Sequence, residues 1–102
     1  MDLVFHPKAR AEFQNAVDWY EDRDDVVGTR FEQSVRSALH DVTTSPGSWP
    51  AWPGIEGVVT ARSRRTAGFP YRVVYTVHDE QVIVLAVAHT SRRPGYWLSR
   101  LS

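Results

Sequence analysis

Residues 69–89, FPYRVVYTVHDEQVIVLAVAH, decide the fold of this chain. Two runs rich in valine, isoleucine and tyrosine, residues 69–78 and 81–89, flank a short polar link. β-Branched and aromatic residues favour strands, and a short polar link favours antiparallel pairing. The second run is apolar on both faces, as in a strand at the centre of a sheet. The stretch therefore predicts a β-hairpin whose second strand is buried.

The residues before this hairpin predict a short strand and two helices. Residues 2–6 are apolar enough for a strand, and Pro7 suits the first turn of a helix, where its missing N–H is no loss. A charged turn at residues 21–25 separates two apolar stripes at helical spacing, and Asp25 is the expected N-cap of the second helix, residues 26–43. The stripes are Ala9, Phe13, Ala16, Val17 and Tyr20 in the first helix, and Val27, Phe31, Val35, Ala38, Leu39 and Val42 in the second. Neither helix can bury its stripe alone, so both are expected to pack on the sheet.

The segment between the helices and the hairpin predicts an ordered loop and one more strand. Residues 48–57 include Trp49 and Trp52, which are rarely left in solvent, and residues 58–65 alternate like a strand. The element order is therefore β-α-α-β-β-β. The fold class is α+β, with a helical hairpin packed on one face of a mostly antiparallel sheet, in a single domain of residues 1–102. The other face of the sheet is expected to stay partly open.

Composition excludes several functional classes. The chain has no cysteine, which excludes a disulfide framework, a zinc ribbon and thiol chemistry. Its four histidines are scattered and it has no nucleotide-binding fingerprint, so neither a metal site nor a cofactor is expected. No apolar run is long enough for a membrane span and the start lacks a signal-peptide pattern, so we expect a cytoplasmic protein that does not engage a membrane.

The net charge of zero hides an asymmetry between the two halves of the chain. Residues 1–50 carry five Lys or Arg and nine Asp or Glu, a difference of −4. Residues 51–102 carry seven Arg, no Lys and three Asp or Glu, a difference of +4. Guanidinium groups bind phosphate through paired hydrogen bonds. The second half therefore favours either a phosphate-bearing partner or a solvated, arginine-rich surface.

The residues that could carry chemistry lie in and just after the predicted sheet. They are Arg62, Arg64, Arg65, Arg72, His78, His89, Arg92, Arg93 and Tyr96. Strand alternation puts Arg62 and Arg64 on one face, and Arg72 on the next strand is expected to reach the open face or its rim with them. Arginines stabilise the charge of a scissile phosphate and a His or Tyr among cations can act as acid or base, so the cluster fits metal-independent RNA cleavage. It fits equally well the binding of a nucleic-acid backbone without cleavage, or of an acidic protein segment.

Some of these residues also have a purely structural interpretation. Arg92 and Arg93 could stack on Tyr96 and Trp97 as a C-terminal clasp. His89, at the end of its strand, suits a structural hydrogen bond as well as a functional role.

Several short motifs accompany the predicted element order. They are residues 5–7 (FHP) followed by Ala9 and Glu12, residues 19–21 (WYE), 69–75 (FPYRVVY), 84–89 (VLAVAH), 92–94 (RRP) and 96–97 (YW). In its element order and in these motifs, the chain resembles the RelE/ParE superfamily of bacterial type II toxins. The resemblance spans nearly the whole chain. It implies a small toxin that is encoded beside an antitoxin, which wraps around the toxin and neutralises it.

The resemblance implies two alternative targets. RelE-like toxins cleave mRNA in the ribosomal decoding site, whereas ParE-like toxins inhibit DNA gyrase and are not known as nucleases. Laid onto this chain, the RelE-like roles fall on Arg62 and Arg64 in the second strand, Arg72 in the third, Arg92 after the fourth, and Tyr96 in the C-terminal segment.

Proton transfer then falls to Tyr96 or His89, because arginine cannot exchange a proton at neutral pH. The predicted catalytic residues are Arg72, Arg92, Tyr96 and His89, and the predicted substrate-binding residues are Arg62, Arg64, Arg65 and Arg93.

Three functions therefore remain open from the sequence. The favoured interpretation is a toxin that cleaves ribosome-associated mRNA as an endoribonuclease; the alternative is a ParE-like gyrase inhibitor that acts by binding. The third is a non-toxic relative that serves only as an antitoxin-binding scaffold. In each case an antitoxin with an amphipathic helix and an acidic stretch is expected to bind. Trp19, which lies off the apolar stripe of its helix, is expected at or near that contact.

Overall fold

Two helices pack on one face of a four-stranded sheet in a computed structural model that describes residues 1–55 and 60–101. The elements are β1 (Asp2–Phe5), α1 (Pro7–Glu21), α2 (Asp25–Thr44), β2 (Ala61–Arg65), β3 (Tyr71–His78) and β4 (Gln81–His89), followed by a short 3-10 helix, Leu98–Leu101. The strand order is β1-β4-β3-β2, with β1 parallel to β4 and the other neighbours antiparallel. The predicted fold class and element order are confirmed. The predicted strand residues 58–59 lie outside the described residues.

The β3–β4 hairpin forms the centre of the sheet, as its sequence predicts. Asp79 and Glu80 close it with φ angles of 49° and 60°. Positive φ at both central residues is the geometry of a two-residue turn whose twist matches that of the flanking strands. β4 then lies between β1 and β3 and is buried along most of its length.

β4 contains one extra residue relative to β3. Val74 pairs with Ala86 and Tyr75 pairs with Val84, so Leu85 has no partner of its own in the ladder. A bulge of this kind leaves backbone groups that another part of the molecule must satisfy. It also lets Leu85 and Ala86 share one face of the sheet, where both are buried.

The helices begin with a polar cap and bury the stripes that their spacing predicts. Asp24, one residue before the expected Asp25, caps α2: its Oδ1 accepts hydrogen bonds from the N–H groups of Val26 at 2.8 Å and Val27 at 3.3 Å. The helices then cross closely at Gly28, where a Cβ atom would lie 2.2 Å from a side-chain carbon of Glu21.

Among the described residues, no helix combines the length and the apolar character needed to cross a bilayer.

The main core lies between the helices and the sheet. Its buried members are Ala9, Ala16, Val17, Phe31, Val35, Ala38, Leu39, Val73, Val84 and Val87. Aromatic rings close one end of it: Tyr20 and Tyr71 lie with their ring centroids 4.9 Å from that of Phe31, and Phe69 lies 5.2 Å from it. These rings hold the start of β3 against the helical hairpin, which fixes the end of the sheet where the candidate residues lie.

A second core covers the opposite face of the sheet, so the expectation of a partly open face is wrong. Trp97 is 1% exposed there and packs on Val74, Leu85 and neighbouring residues. Trp52, from the predicted ordered loop, meets Trp97 edge-to-face with ring centroids 5.1 Å apart. The C-terminal segment therefore crosses the sheet and buries what a four-stranded sheet with helices on one side would otherwise expose.

Replacing Trp97 with alanine should lower the free energy of unfolding by about 3–5 kcal/mol, because it removes the largest buried side chain of the second core. Trp19→Ala is the matched control, since Trp19 is 51% exposed and its loss should cost less than about 1 kcal/mol. Urea denaturation followed by circular dichroism measures both. Equal losses in the two variants would show that the second core contributes little to stability.

Candidate functional site

Two concave sites share a wall at one end of the sheet. The first, here called the groove, has a volume of about 450 Å³ and lies between α1 and the end of β4. The second, here called the cleft, has a volume of about 210 Å³ and lies on the side of the sheet that carries Trp97. His89 and Arg92 line both sites.

Four arginines surround the cleft. Antiparallel pairing brings the end of β2, the start of β3 and the end of β4 to the same end of the sheet, so Arg65, Arg72, Arg92 and Arg93 converge there. Arg65 and Arg72 lie directly opposite each other in the ladder. Like charges in such a pair are destabilising. Among residues 1–55 and 60–101, only Arg92 of the four forms an ion pair with a carboxylate. The cleft thus concentrates positive charge that an anionic partner would relieve.

Arg62 and Arg64 are not part of this cluster, so the expectation that they meet Arg72 opposite the helices is wrong. Both point to the helix side of the sheet. The Arg64 Nε lies 3.3 Å from the Asp41 carboxylate of α2, and its guanidinium lies 4.3 Å from the Trp49 ring centroid. Arg62 donates a 2.8 Å hydrogen bond to the carbonyl of Trp49. These contacts anchor the loop after α2, and a role for the two residues in substrate binding stays a prediction.

The wall between the groove and the cleft is built on Glu12 of α1. Its carboxylate accepts five hydrogen bonds, from the Val87 N–H at 3.1 Å, Arg92 Nη1 at 3.1 Å, the Tyr96 hydroxyl at 2.7 Å and two Arg100 nitrogens at 2.9 and 3.0 Å. The side chain is only 15% exposed. A buried carboxylate needs such donors, because an unpaired charge in a poorly solvated site is costly. Glu12 therefore ties α1 to β4 and to the C-terminal segment.

Tyr96 is held as a neutral donor. Burial, with the hydrogen bond to Glu12 and the charge of its carboxylate, raises the pKa of Tyr96 to about 12, although Arg92 and Arg100 act in the opposite direction. The Arg92 guanidinium stacks over the Tyr96 ring at 3.6 Å. A phenol in this environment keeps its proton at neutral pH, and the predicted role of Tyr96 in proton transfer stays a prediction. The predicted clasp between Arg92 and Tyr96 is confirmed.

His89 offers one nitrogen to the two sites. Its Nδ1 accepts a 3.0 Å hydrogen bond from the Ser91 N–H and lies 2.7 Å from the Ser91 hydroxyl. In the neutral ring the proton is then on Nε2. The ring packs edge-to-face on Tyr71 with centroids 5.0 Å apart. His89 thus combines the structural hydrogen bond and the position in the site that the sequence left as alternatives.

Trp19 lines the groove and is half exposed. Its ring is covered by the Arg23 guanidinium at 3.5 Å and meets Tyr20 edge-to-face at 5.0 Å. These contacts fix the orientation of the indole and leave its outer side free. Its predicted role in partner binding stays a prediction.

Sequence reasoning missed Glu12 and Arg100 as members of the site. A signal for Glu12 was present: it lies three residues after Ala9 and four before Ala16, at the border of an apolar stripe, where a carboxylate needs a buried partner. The partner, Arg100, is 88 residues away, and no local pattern connects the two. Among the described residues, no group of three or more potential ligands is arranged to hold a metal ion.

The pattern of this chain matches a known family. A model described as "ParE toxin of type II toxin-antitoxin system, parDE" matches residues 3–94. The chain belongs to the ParE toxin family. No curated protein matches its sequence at a significant level. The family match includes α1 with Glu12, both sides of the groove and all four cleft arginines.

The fold of this ParE-family chain is also found in a solved structure described as "Chromosomal ParDE TA system from P. aeruginosa". The TM-score is 0.72, and the match covers 89% of this chain and 97% of that one. Sequence identity is 15%, so the likeness concerns the fold alone.

In Tyr96→Phe, the free energy of unfolding should depend less on pH in the alkaline range than in the wild-type protein of this ParE family. Because the pKa of Tyr96 is raised to about 12 from 10.0, its contribution to stability is complete below pH 10 and is lost as pH rises towards 12. The variant should lose about 1–2 kcal/mol at pH 7, from the missing hydrogen bond to Glu12, and should fall less steeply above pH 10 than the wild type. Urea denaturation between pH 7 and pH 11 measures this. Tyr20→Phe is the control, since only burial raises the pKa of Tyr20; an identical slope in both variants would contradict the role of Glu12.

Proposed function

We propose that this protein is the toxin of a parDE-type toxin–antitoxin pair, that it inhibits DNA gyrase by binding, and that a cognate antitoxin neutralises it. The match of residues 3–94 to the ParE toxin family carries the proposal. Inhibition of gyrase without nuclease activity is the alternative to RNA cleavage that the resemblance to ParE-like toxins implies.

The chemistry of the cleft supports a function by binding. Tyr96 keeps its proton at neutral pH, and its hydroxyl donates a hydrogen bond to the Glu12 carboxylate. Arg62 and Arg64 are engaged on the other face of the sheet by Trp49 and Asp41. An inhibitor that binds its target requires neither a proton carrier nor these two arginines.

The arginines of the cleft indicate what the target surface offers. Four guanidinium groups around one opening favour a partner that presents carboxylates or phosphates. Charged groups of this kind mainly accelerate association and select the partner, and their effect weakens with salt. We therefore expect the inhibition of gyrase to decline as ionic strength rises.

The groove supports binding of an antitoxin. It offers the rings of Trp19, Tyr20 and Tyr71 along its length and the positive charge of Arg92 at its end. An amphipathic helix with an acidic residue at one end fits both features, because apolar side chains fill such grooves and opposite charges fix their register. The antitoxin would then contact the same guanidinium that lines the cleft.

Inhibition of purified gyrase tests the proposed target. The wild-type protein should block supercoiling of relaxed plasmid, and Arg72→Ala with Arg93→Ala should raise the inhibitory concentration by about tenfold or more. Arg36→Ala is the matched control, since Arg36 does not line the cleft and contacts residues of the helices, Glu32 at 2.9 Å and the Phe13 ring centroid at 5.8 Å. Full supercoiling activity in the presence of a folded toxin that still stops growth would exclude gyrase as the target.

Binding of the antitoxin is a separate prediction. Trp19→Ala should weaken binding of the antitoxin encoded by the adjoining reading frame by about 30-fold, as expected for a tryptophan at the centre of an interface. Growth inhibition in the absence of antitoxin should be unchanged. Val26→Ala is the control, because Val26 is 58% exposed at the start of α2 and does not line the groove. Calorimetry with the purified pair measures both, and equal affinities would show that the antitoxin binds elsewhere.

Cleavage of ribosome-associated mRNA is a second candidate function, favoured by His89 beside the cleft arginines. RNA supplies its own 2′-hydroxyl nucleophile, whose proton would pass to water, and the guanidinium groups would stabilise the phosphate charge. The imidazolium form of His89 would give its Nε2 proton to the leaving 5′ oxygen as the P–O5′ bond breaks. No metal is needed for these steps. Primer extension on messages from cells that express the toxin tests it. Cuts that appear with the wild-type toxin and disappear with His89→Ala would support RNA cleavage in place of gyrase inhibition. Normal growth of cells that express the protein without antitoxin would exclude both functions.

A further inference from the structure

The two oxygens of Glu12 serve different parts of the molecule. Oε1 accepts hydrogen bonds from the Val87 N–H and from Arg100 Nη1. Oε2 accepts hydrogen bonds from Arg92, Tyr96 and Arg100 Nη2. The first set belongs to the fold and the second set lies at the candidate site.

The Oε1 set completes the edge of β4 where β1 ends. The last bond between the two regions joins the His6 N–H to the Val84 carbonyl at 2.9 Å. The next outward groups of β4 are the carbonyl of the bulged Leu85 and the N–H of Val87. Arg100 Nη1 donates to the Leu85 carbonyl at 2.9 Å, and Glu12 accepts from Val87. The Glu12–Arg100 pair therefore takes the place of a strand, and the Arg100 side chain is only 9% exposed.

The Oε2 set also holds Arg92, whose side chain is far less buried than that of Arg100. The Arg92 side chain is 51% exposed and has one ion pair, to Glu12, in the described chain. Its guanidinium carbon lies 3.6 Å from the ring centroid of Tyr96, whose hydroxyl also donates a hydrogen bond to Glu12. Because arginine has many rotamers, a half-exposed guanidinium keeps one position only where a partner holds it. Glu12 is the group that holds both members of this stack.

We propose that Glu12 is a positioning residue, whose carboxylate fixes Arg92 and Tyr96 in the wall between the groove and the cleft. Its charge also offsets one of the four positive charges around the cleft. The effect of Glu12 on toxicity rests on the proposed function. The position of Arg92 does not, since it is a property of the free protein. Loss of the Glu12 charge then releases Arg92 while leaving Arg65 and Arg93 where they are.

Chemical modification of arginine tests the position without any knowledge of the target. The purified protein is treated with phenylglyoxal, and the rate at each arginine is followed by mass spectrometry of peptides. Glu12→Gln should raise the rate at Arg92 several-fold and leave the rates at Arg65 and Arg93 unchanged. Glu32→Gln, which removes the exposed ion pair with Arg36, should leave the rates at Arg92, Arg65 and Arg93 unchanged. An unchanged rate at Arg92 in folded Glu12→Gln would overturn the proposal.

Two further variants keep the test decisive if Glu12→Gln does not fold. Glu12→Asp retains the charge but withdraws the oxygens by one methylene, so Arg92 should again react faster than in the wild type. Tyr96→Phe retains Glu12, so Arg92 should stay protected. Faster reaction of Arg92 in Tyr96→Phe, with no change in Glu12→Asp, would assign the positioning to Tyr96 and would overturn the role of Glu12.

A double-mutant cycle links the position to toxicity. The inhibitory concentration of the double variant Glu12→Gln/Arg92→Ala should differ by at least about twofold from the value expected if the two single effects were independent. Coupling of this size is typical of residues in direct contact. Glu12→Gln and Arg65→Ala should act independently, because Glu12 does not contact Arg65. Independence of Glu12 and Arg92 would overturn the functional part of the proposal. A wild-type protein without inhibitory activity would instead contradict the proposed function, and the modification rates would still decide the role of Glu12.

Discussion

The structure depends on the paired contact between Glu12 and Arg100. This contact closes the edge of β4 at a place where the short strand β1 has already ended and a bulge has shifted the ladder. It carries the C-terminal segment across the sheet, so that Trp97 can cover the face away from the helices. A carboxylate is expensive to desolvate, and the five hydrogen bonds that Glu12 accepts offset this cost. The helix, the strand and the tail are therefore parts of one unit.

The same unit explains why the groove and the cleft are neighbours. α1 supplies Trp19 to the groove and Glu12 to the wall, while the turn after β4 supplies His89 and Arg92 to both sites. A partner in the groove meets the guanidinium that also faces the cleft. An acidic residue of that partner would compete with Glu12 for Arg92, and this competition offers a physical route from antitoxin binding to loss of toxicity.

Much of this architecture follows from local patterns in the sequence. The β3–β4 hairpin and both helices are read from alternation and from the spacing of apolar residues, and the cluster of Arg72, Arg92 and Arg93 follows from where the hairpin ends. Local patterns could not predict which side of the sheet Arg62 and Arg64 occupy. Alternation shows that they share a face, but the choice of face depends on how β2 is registered against β3. The covered face and the Glu12–Arg100 pair were missed because both depend on contacts between residues far apart in the chain.

That separation has a consequence for how the protein is made. Glu12 emerges from the ribosome long before Arg100, its partner 88 residues later. Until then α1 carries a carboxylate without its main donor, the bulge of β4 has a free carbonyl and one face of the sheet is uncovered. The Glu12–Arg100 contact can consequently form only after Arg100 has been synthesised, and it must then offset the entropic cost of closing a long loop. A fragment that ends before Trp97 would lack both the donor of Glu12 and the ring that covers the second face of the sheet.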